Sequence, residues 1–301
     1  MPRLIMTFSS LVTPVNVAAA LLTLVPFLSV AFFPDAIGAR VRALPLWAQL
    51  ASPAALSIPY LMVSLGAGIF RWGWFAIYAA LPVLIAVLLW QAARVDPGQL
   101  GNWRDYLILA ALGLAVDLRW FESAWPGKLS VFNKILLLDA GIYGFVLLRQ
   151  LEGTGFNLRL RRSDFLIGLR EVAFYFPIAL VLGLSLGFLH VHKVLPSVEA
   201  MAAAWIFTFF FVAVPEELFF RGWVQNLLTK RMGRYPALIL TACLFGLAHF
   251  NKRTINFNWR YVLLAAIAGI FYGRAWMQDR RVGTSAVTHT TVDAIWSLWF
   301  R

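Results

Sequence analysis

The sequence predicts an all-α fold: a polytopic transmembrane helix bundle of about eight to ten spans. Three observations carry that expectation. The 301-residue chain is 61% hydrophobic and 13% charged, whereas a soluble domain is about half apolar and about a quarter charged. Its mean hydropathy is +0.75. Residues 11–33, 46–70 and 72–93 each run without a charged side chain over a length that crosses a bilayer. Thirteen Trp and 25 Phe fit aromatic belts at two membrane interfaces.

The elements follow in order. Arg3 precedes the first apolar stretch, which is longer than a signal-peptide core and lacks a small-residue cleavage site, so it reads as a retained first helix. After 46–70 and 72–93, further spans are expected at 172–190, 201–228, 235–250, 259–278 and 283–300. Residues 105–119, with Asp105 and Asp117, and 132–149, with Asp139, are weaker candidates. No linker separates a soluble domain. Residues 1–150 form an N-terminal transmembrane region with few buried ionisable groups and no assignable role. Residues 151–301 hold nearly all the ionisable groups that fall within spans, concentrated in the last four.

Net charge is +12. The basic residues gather in short loops: Arg149, Arg159, Arg161 and Arg162; Arg221, Lys230, Arg231 and Arg234; Arg274, Arg280 and Arg281. The spans between them put all three clusters on one side, the cytoplasmic one. Lys252, Arg253 and Arg260 then face the other side. No basic-aromatic groove lies on a polar domain, which argues against nucleic acid as a partner. The expected location is the cell membrane, plasma or inner. Cys243 is the only cysteine; it excludes an intramolecular disulfide and a zinc-thiolate site and reads as a small buried apolar residue. His190 and His192 flank a helix end beside Lys193 and read as interfacial.

The stretch AVPEELFFRGW, residues 213–223, interrupts an apolar run with Glu216, Glu217 and Arg221. Each such charge near mid-membrane costs about 2.5–3.5 kcal/mol on insertion scales. On one helix through 201–228, Glu217 and Arg221 are i,i+4 neighbours with the acid N-terminal, the favourable order for an ion pair. Glu216 points roughly 100° away with no local partner, which makes it a candidate general base. The competing reading ends the helix at Pro215 and places the charges in water; Phe219, Phe220, Trp223, Leu227 and Leu228 continue the apolar pattern and oppose it. FGLAH places Phe245 and His249 four apart in the span 235–250. HTTVD places His289 and Asp293 four apart in the last span, amid Thr288, Thr290 and Thr291. Membrane-embedded acids and histidines face a bundle interior or a wet cavity, so three helices each turn one polar face to a common centre.

In order, EExxxR (Glu216–Arg221), FxxxH (Phe245–His249) and HxxxD (His289–Asp293) resemble the motifs of the CAAX protease and bacteriocin-processing family of intramembrane endopeptidases. The resemblance covers roughly residues 200–300. It implies a glutamate-dependent peptidase whose catalytic core is 151–301. Glu216 and His249 would activate a water, His289 and residue 293 would stabilise the tetrahedral oxyanion, and Glu217 with Arg221 would order the site. The family often has Asn at 293, where this chain has Asp. An ionised Asp cannot donate to an oxyanion, so Asp293 is either protonated or accepts from His289 and orients it.

The implied partners are a protein or peptide substrate in the membrane and the lipid bilayer. No cofactor is expected. The nearest alternative is a zinc-dependent metalloprotease using the same residues as ligands, but no HExxH helix is present. GLSLG at 183–187 matches GxSxG, yet that motif needs a strand-to-helix turn; here Gly183 and Gly187 read as a small-residue helix face. A transporter with the acids as ion sites, or a non-enzymatic membrane partner, are the remaining alternatives.

Overall fold

A computed structural model describes residues 12–191, 196–252 and 256–300. Expectations resting on Arg3, His192, Lys193 and Arg253 lie outside the described residues, as does the start of the first span at Leu11. The described chain is helical, with one isolated antiparallel bridge between Val191 and Phe300. Its helices are α1 (Pro14–Phe32), α2 (Pro34–Arg42), α3 (Leu46–Gly66), α4 (Trp72–Val95), α5 (Trp103–Asp117), α6 (Val131–Leu148), α7 (Arg162–Ser185), α8 (Val198–Met232), α9 (Arg234–Leu247), α10 (Trp259–Asp279) and α11 (Val282–Trp299).

Six of these, α1, α3, α4, α6, α7 and α8, are long and apolar enough to cross a membrane, fewer than the eight to ten expected from sequence. Helices α10 and α11 have the length, at 21 and 18 residues, but Arg274 in the one and the threonine-histidine run in the other lower their hydropathy. Large apolar side chains stand exposed along the spans, among them Leu21, Leu84, Val181 and Ile206, the pattern of a surface whose solvent is lipid.

The chain divides into two compact units, Met1–Pro97 with Asn102–Gln150, and Gly98–Gly101 with Leu151–Arg301. In the first, Tyr60, Tyr78, Trp125 and Phe132 form an aromatic core. Two of its hydroxyl and indole groups are satisfied in a chain, Trp125 Nε1 donating to Tyr78 Oη at 2.7 Å and Tyr78 Oη to Asn133 Oδ1 at 2.9 Å. This unit is more polar inside than the sequence reading allowed. Arg149, at the end of α6, pairs with Asp96 at 2.6 Å and Asp105 at 3.1 Å. Asp139 is buried within α6, and its carboxylate oxygens have no hydrogen-bond partner among the described residues.

In the second unit, α10 lies against α7, α9 and α11, and the first half of α8 lies against α11. Helix α7 begins at Arg162, ten residues before the expected span. The cause is local: Asp164 Oδ2 accepts the Arg161 N–H at 2.6 Å and caps the first turn. GLSLG is the end of α7, not a face within it. Gly187 takes φ +61°, and the Phe188 N–H returns to Gly183 O at 2.8 Å, a left-handed helix stop that glycine favours. Cys243 is exposed, which corrects the buried reading: Thr241, Ala242, Phe245 and Gly246 form the buried face of α9, and Cys243 falls opposite, on a side equally apolar.

Helix α8 continues through Pro215, so the reading that ended it there is set aside. Its turns widen to π-helix at Phe209–Ala213 and Leu218–Gln225, on either side of Val214–Glu217. The first wide turn falls where Pro215 has no N–H to offer and where its ring crowds the preceding turn.

Candidate active site

The site is assembled in the second unit from one turn each of α8, α10 and α11 and the end of α9. Glu217 and Arg221 are both fully buried, with Arg221 Nε 3.1 Å from Glu217 Oε2. That approach lacks hydrogen-bond alignment, so charge attraction holds the pair. The guanidinium is secured elsewhere: Nη2 donates to Gly269 O of α10 at 3.0 Å, and the ring of Phe245 lies 4.6 Å from its centre, a cation–π contact. Helix α10 comes this close because Gly269 faces α9, where a Cβ would stand 3.1 Å from Ala242 Cα.

The second oxygen of Glu217 meets His289 Nδ1 at 2.8 Å. Glu217 therefore joins α8 to α11 while Arg221 joins α8 to α10. As a carboxylate beside an arginine, Glu217 accepts, so Nδ1 carries the proton and Nε2 faces away from it. Nε2 lies 3.5 Å from Asp293 Oδ2 and 3.9 Å from Glu216 Oε2. The imidazole is held on its faces too: Tyr272 stacks on it at 4.6 Å and 15°, and Phe245 meets it edge-on at 5.6 Å.

His249 stands one step away. It follows the end of α9, with Nδ1 2.8 Å from Phe245 O, and its ring contacts Phe245 at 4.9 Å and Tyr261 at 4.8 Å. It shares with His289 and Asp293 a mainly apolar cavity also lined by Tyr175, Tyr261 and Tyr272. The cavity holds about 80 Å³, room for several waters at roughly 10–15 Å³ each. Glu216 is not part of its lining. It approaches from α8 with its side chain 37% exposed, the one carboxylate of the motif pair that is open. The fold thus brings Glu216, Glu217, Arg221, His289 and Asp293 together directly and places His249 in the wall of the cavity that His289 and Asp293 also line. Among the described residues, no three His, Cys, Asp or Glu side chains form a metal-ligating group.

A clamp sets α11 against α7. Buried Asp164 binds Arg281 Nε at 2.9 Å and Thr284 Oγ1 at 2.6 Å, and one turn on Thr288 Oγ1 donates to Gly168 O at 3.3 Å. The sequence reading missed Asp164, Tyr175 and Tyr272. Asp164 had a signal, an acid three residues after Arg161 at a helix start. The tyrosines sit in ordinary apolar runs, and only the fold brings them to His289.

Helices of membrane length and a buried carboxylate–histidine cluster define an integral membrane protein with a polar centre. Residues 198–295 match the family model described as type II CAAX prenyl endopeptidase Rce1-like. The match covers a third of the chain, and it is to the CAAX protease family that the three motifs resemble. No curated protein and no solved structure matches the chain.

Proposed function

We propose that the protein is a glutamate-dependent intramembrane endopeptidase that cleaves a peptide bond in membrane-anchored or C-terminal-tail substrates. The observation that carries this reading is the orientation of His289. Buried Glu217 fixes Nδ1 at 2.8 Å, and Nε2 is left between Asp293 at 3.5 Å and Glu216 at 3.9 Å.

In the proposed reaction Glu216, assisted by His249, takes a proton from a water as its oxygen bonds to the substrate carbonyl carbon. The carbonyl π electrons move to oxygen. His289 donates to that oxyanion from Nε2, which requires the doubly protonated ring because Nδ1–H is committed to Glu217. Asp293 at 3.5 Å accepts from Nε2 before substrate arrives. On collapse the C=O re-forms, the C–N bond breaks, and the nitrogen leaves with the proton held by Glu216. The products are a carboxylic acid, which ionises, and an amine. Donors aimed at the developing charge in a site poor in water give such a step most of its acceleration.

The reading assigns no step to a metal. Purified protein should cleave an internally quenched peptide ending in a prenylated cysteine box, or its unprenylated twin, at unchanged rate after exhaustive chelation. Loss of activity restored by zinc would replace this reading with the metalloprotease one. We also propose ten crossings. Arg149 ties the end of α4, the start of α5 and the end of α6 together, so α5 must run back across beside α6. With α9, α10 and α11 this adds four helices to the six of membrane length. The specific membrane is proposed to be the plasma or inner membrane, with residues 1–150 as an accessory region.

A further inference from the structure

Asp at 293 leaves a gap in the proposed chemistry, because an ionised carboxylate accepts and cannot stabilise an oxyanion. The cavity holds a group that fills it. Tyr272 is buried on α10, lines the cavity beside His289 and Asp293, and lies flat on the His289 ring at 4.6 Å. The neighbouring Tyr175 hydroxyl is already spent on Leu264 O at 3.1 Å. Among the described residues the Tyr272 hydroxyl has no hydrogen-bond partner. A phenol O–H in the cavity wall that the His289 ring also lines is a second donor within the same cavity.

We propose that Tyr272 is a catalytic residue of this site, its hydroxyl donating to the tetrahedral oxyanion together with His289 and supplying the hydrogen bond that Asp293 cannot. The inference rests on the peptidase reading. Asp293 then serves as the acceptor that orients His289 before substrate binds.

The test is a double-mutant cycle in membranes, following by mass spectrometry the cleavage products that disappear with Glu216→Gln. Tyr272→Phe keeps the ring on His289 and the contact with Arg221 and removes only the O–H. Turnover should fall on the order of a hundredfold, the usual effect of deleting one oxyanion donor, with KM little changed. Asp293→Asn provides an N–H donor at the same place. In that background Tyr272→Phe should cost only a few-fold. Wild-type turnover in Tyr272→Phe, or an equal loss in both backgrounds, would overturn the proposal while leaving the peptidase reading intact. If Glu216→Gln removes no product, the peptidase reading fails and takes this inference with it.

Discussion

Glu217 is the residue on which the site turns. It is fully buried, meets Arg221 at 3.1 Å and His289 at 2.8 Å, and so links α8 to α11 while its partner Arg221 reaches α10. Removing one partner of a buried pair leaves the other charge uncompensated, at a cost of about 3–5 kcal/mol. Glu217→Gln should therefore lower the thermal midpoint in detergent and abolish activity. Glu217→Gln with Arg221→Gln should destabilise by less than the sum of the single changes; strict additivity would show that the two do not interact. The i,i+4 spacing made this pair legible from sequence, as it did His289 with Asp293. The bond from Glu217 to His289 was not legible, because it joins residues on different helices whose register no local pattern sets. Cys243 was misread for a related reason: in an apolar helix, composition does not tell the core face from the lipid face.

At the scale of elements, the site depends on α9 and α10 lying backbone against backbone. A Cβ on Gly246 would stand 2.5 Å from Val262 O, and Val262 cannot withdraw without moving α10. Gly246→Ala should cost about 1–3 kcal/mol as an overpacked contact and should shift His249, three residues on, lowering turnover in a variant that still folds. Gly155 is held at φ +67°, where a Cβ would meet Arg280 O at 1.8 Å. Its own carbonyl accepts the Val282 N–H at 3.0 Å, so it seats the α10–α11 turn. Gly155→Ala should lower both stability and activity although it touches no site residue; a wild-type thermal midpoint would show that the turn yields freely. Helix positions were legible where apolar runs are unbroken. The early start of α7 was missed, since Arg161 and Arg162 read as loop charges and the cap that Asp164 makes was overlooked.

At the scale of the molecule, the account requires the basic segments of the second unit to share one end. Asn226 reaches Glu152 O at 2.7 Å and receives Arg280 Nη1 at 3.0 Å, while Arg281 reaches Arg159 O at 2.9 Å. In a Cys243→Ser background, Arg162→Cys and Met232→Cys should be labelled by an impermeant thiol reagent from the same face of the membrane, and Phe257→Cys from the opposite face. Labelling of all three from one face would refute the proposed crossings. The bundle class was evident from composition. The interior of the first unit was not, because Arg149 reads as a loop charge until it folds back onto Asp96 and Asp105.

The central claim is that Glu216 is the base. The direct measurement is mass spectrometry of membrane proteins from cells expressing the wild-type chain or Glu216→Gln at equal level, scored for new termini. The account predicts one or more cleavage products that are present with the wild type and absent with the variant. The same products at the same rate from Glu216→Gln would contradict it.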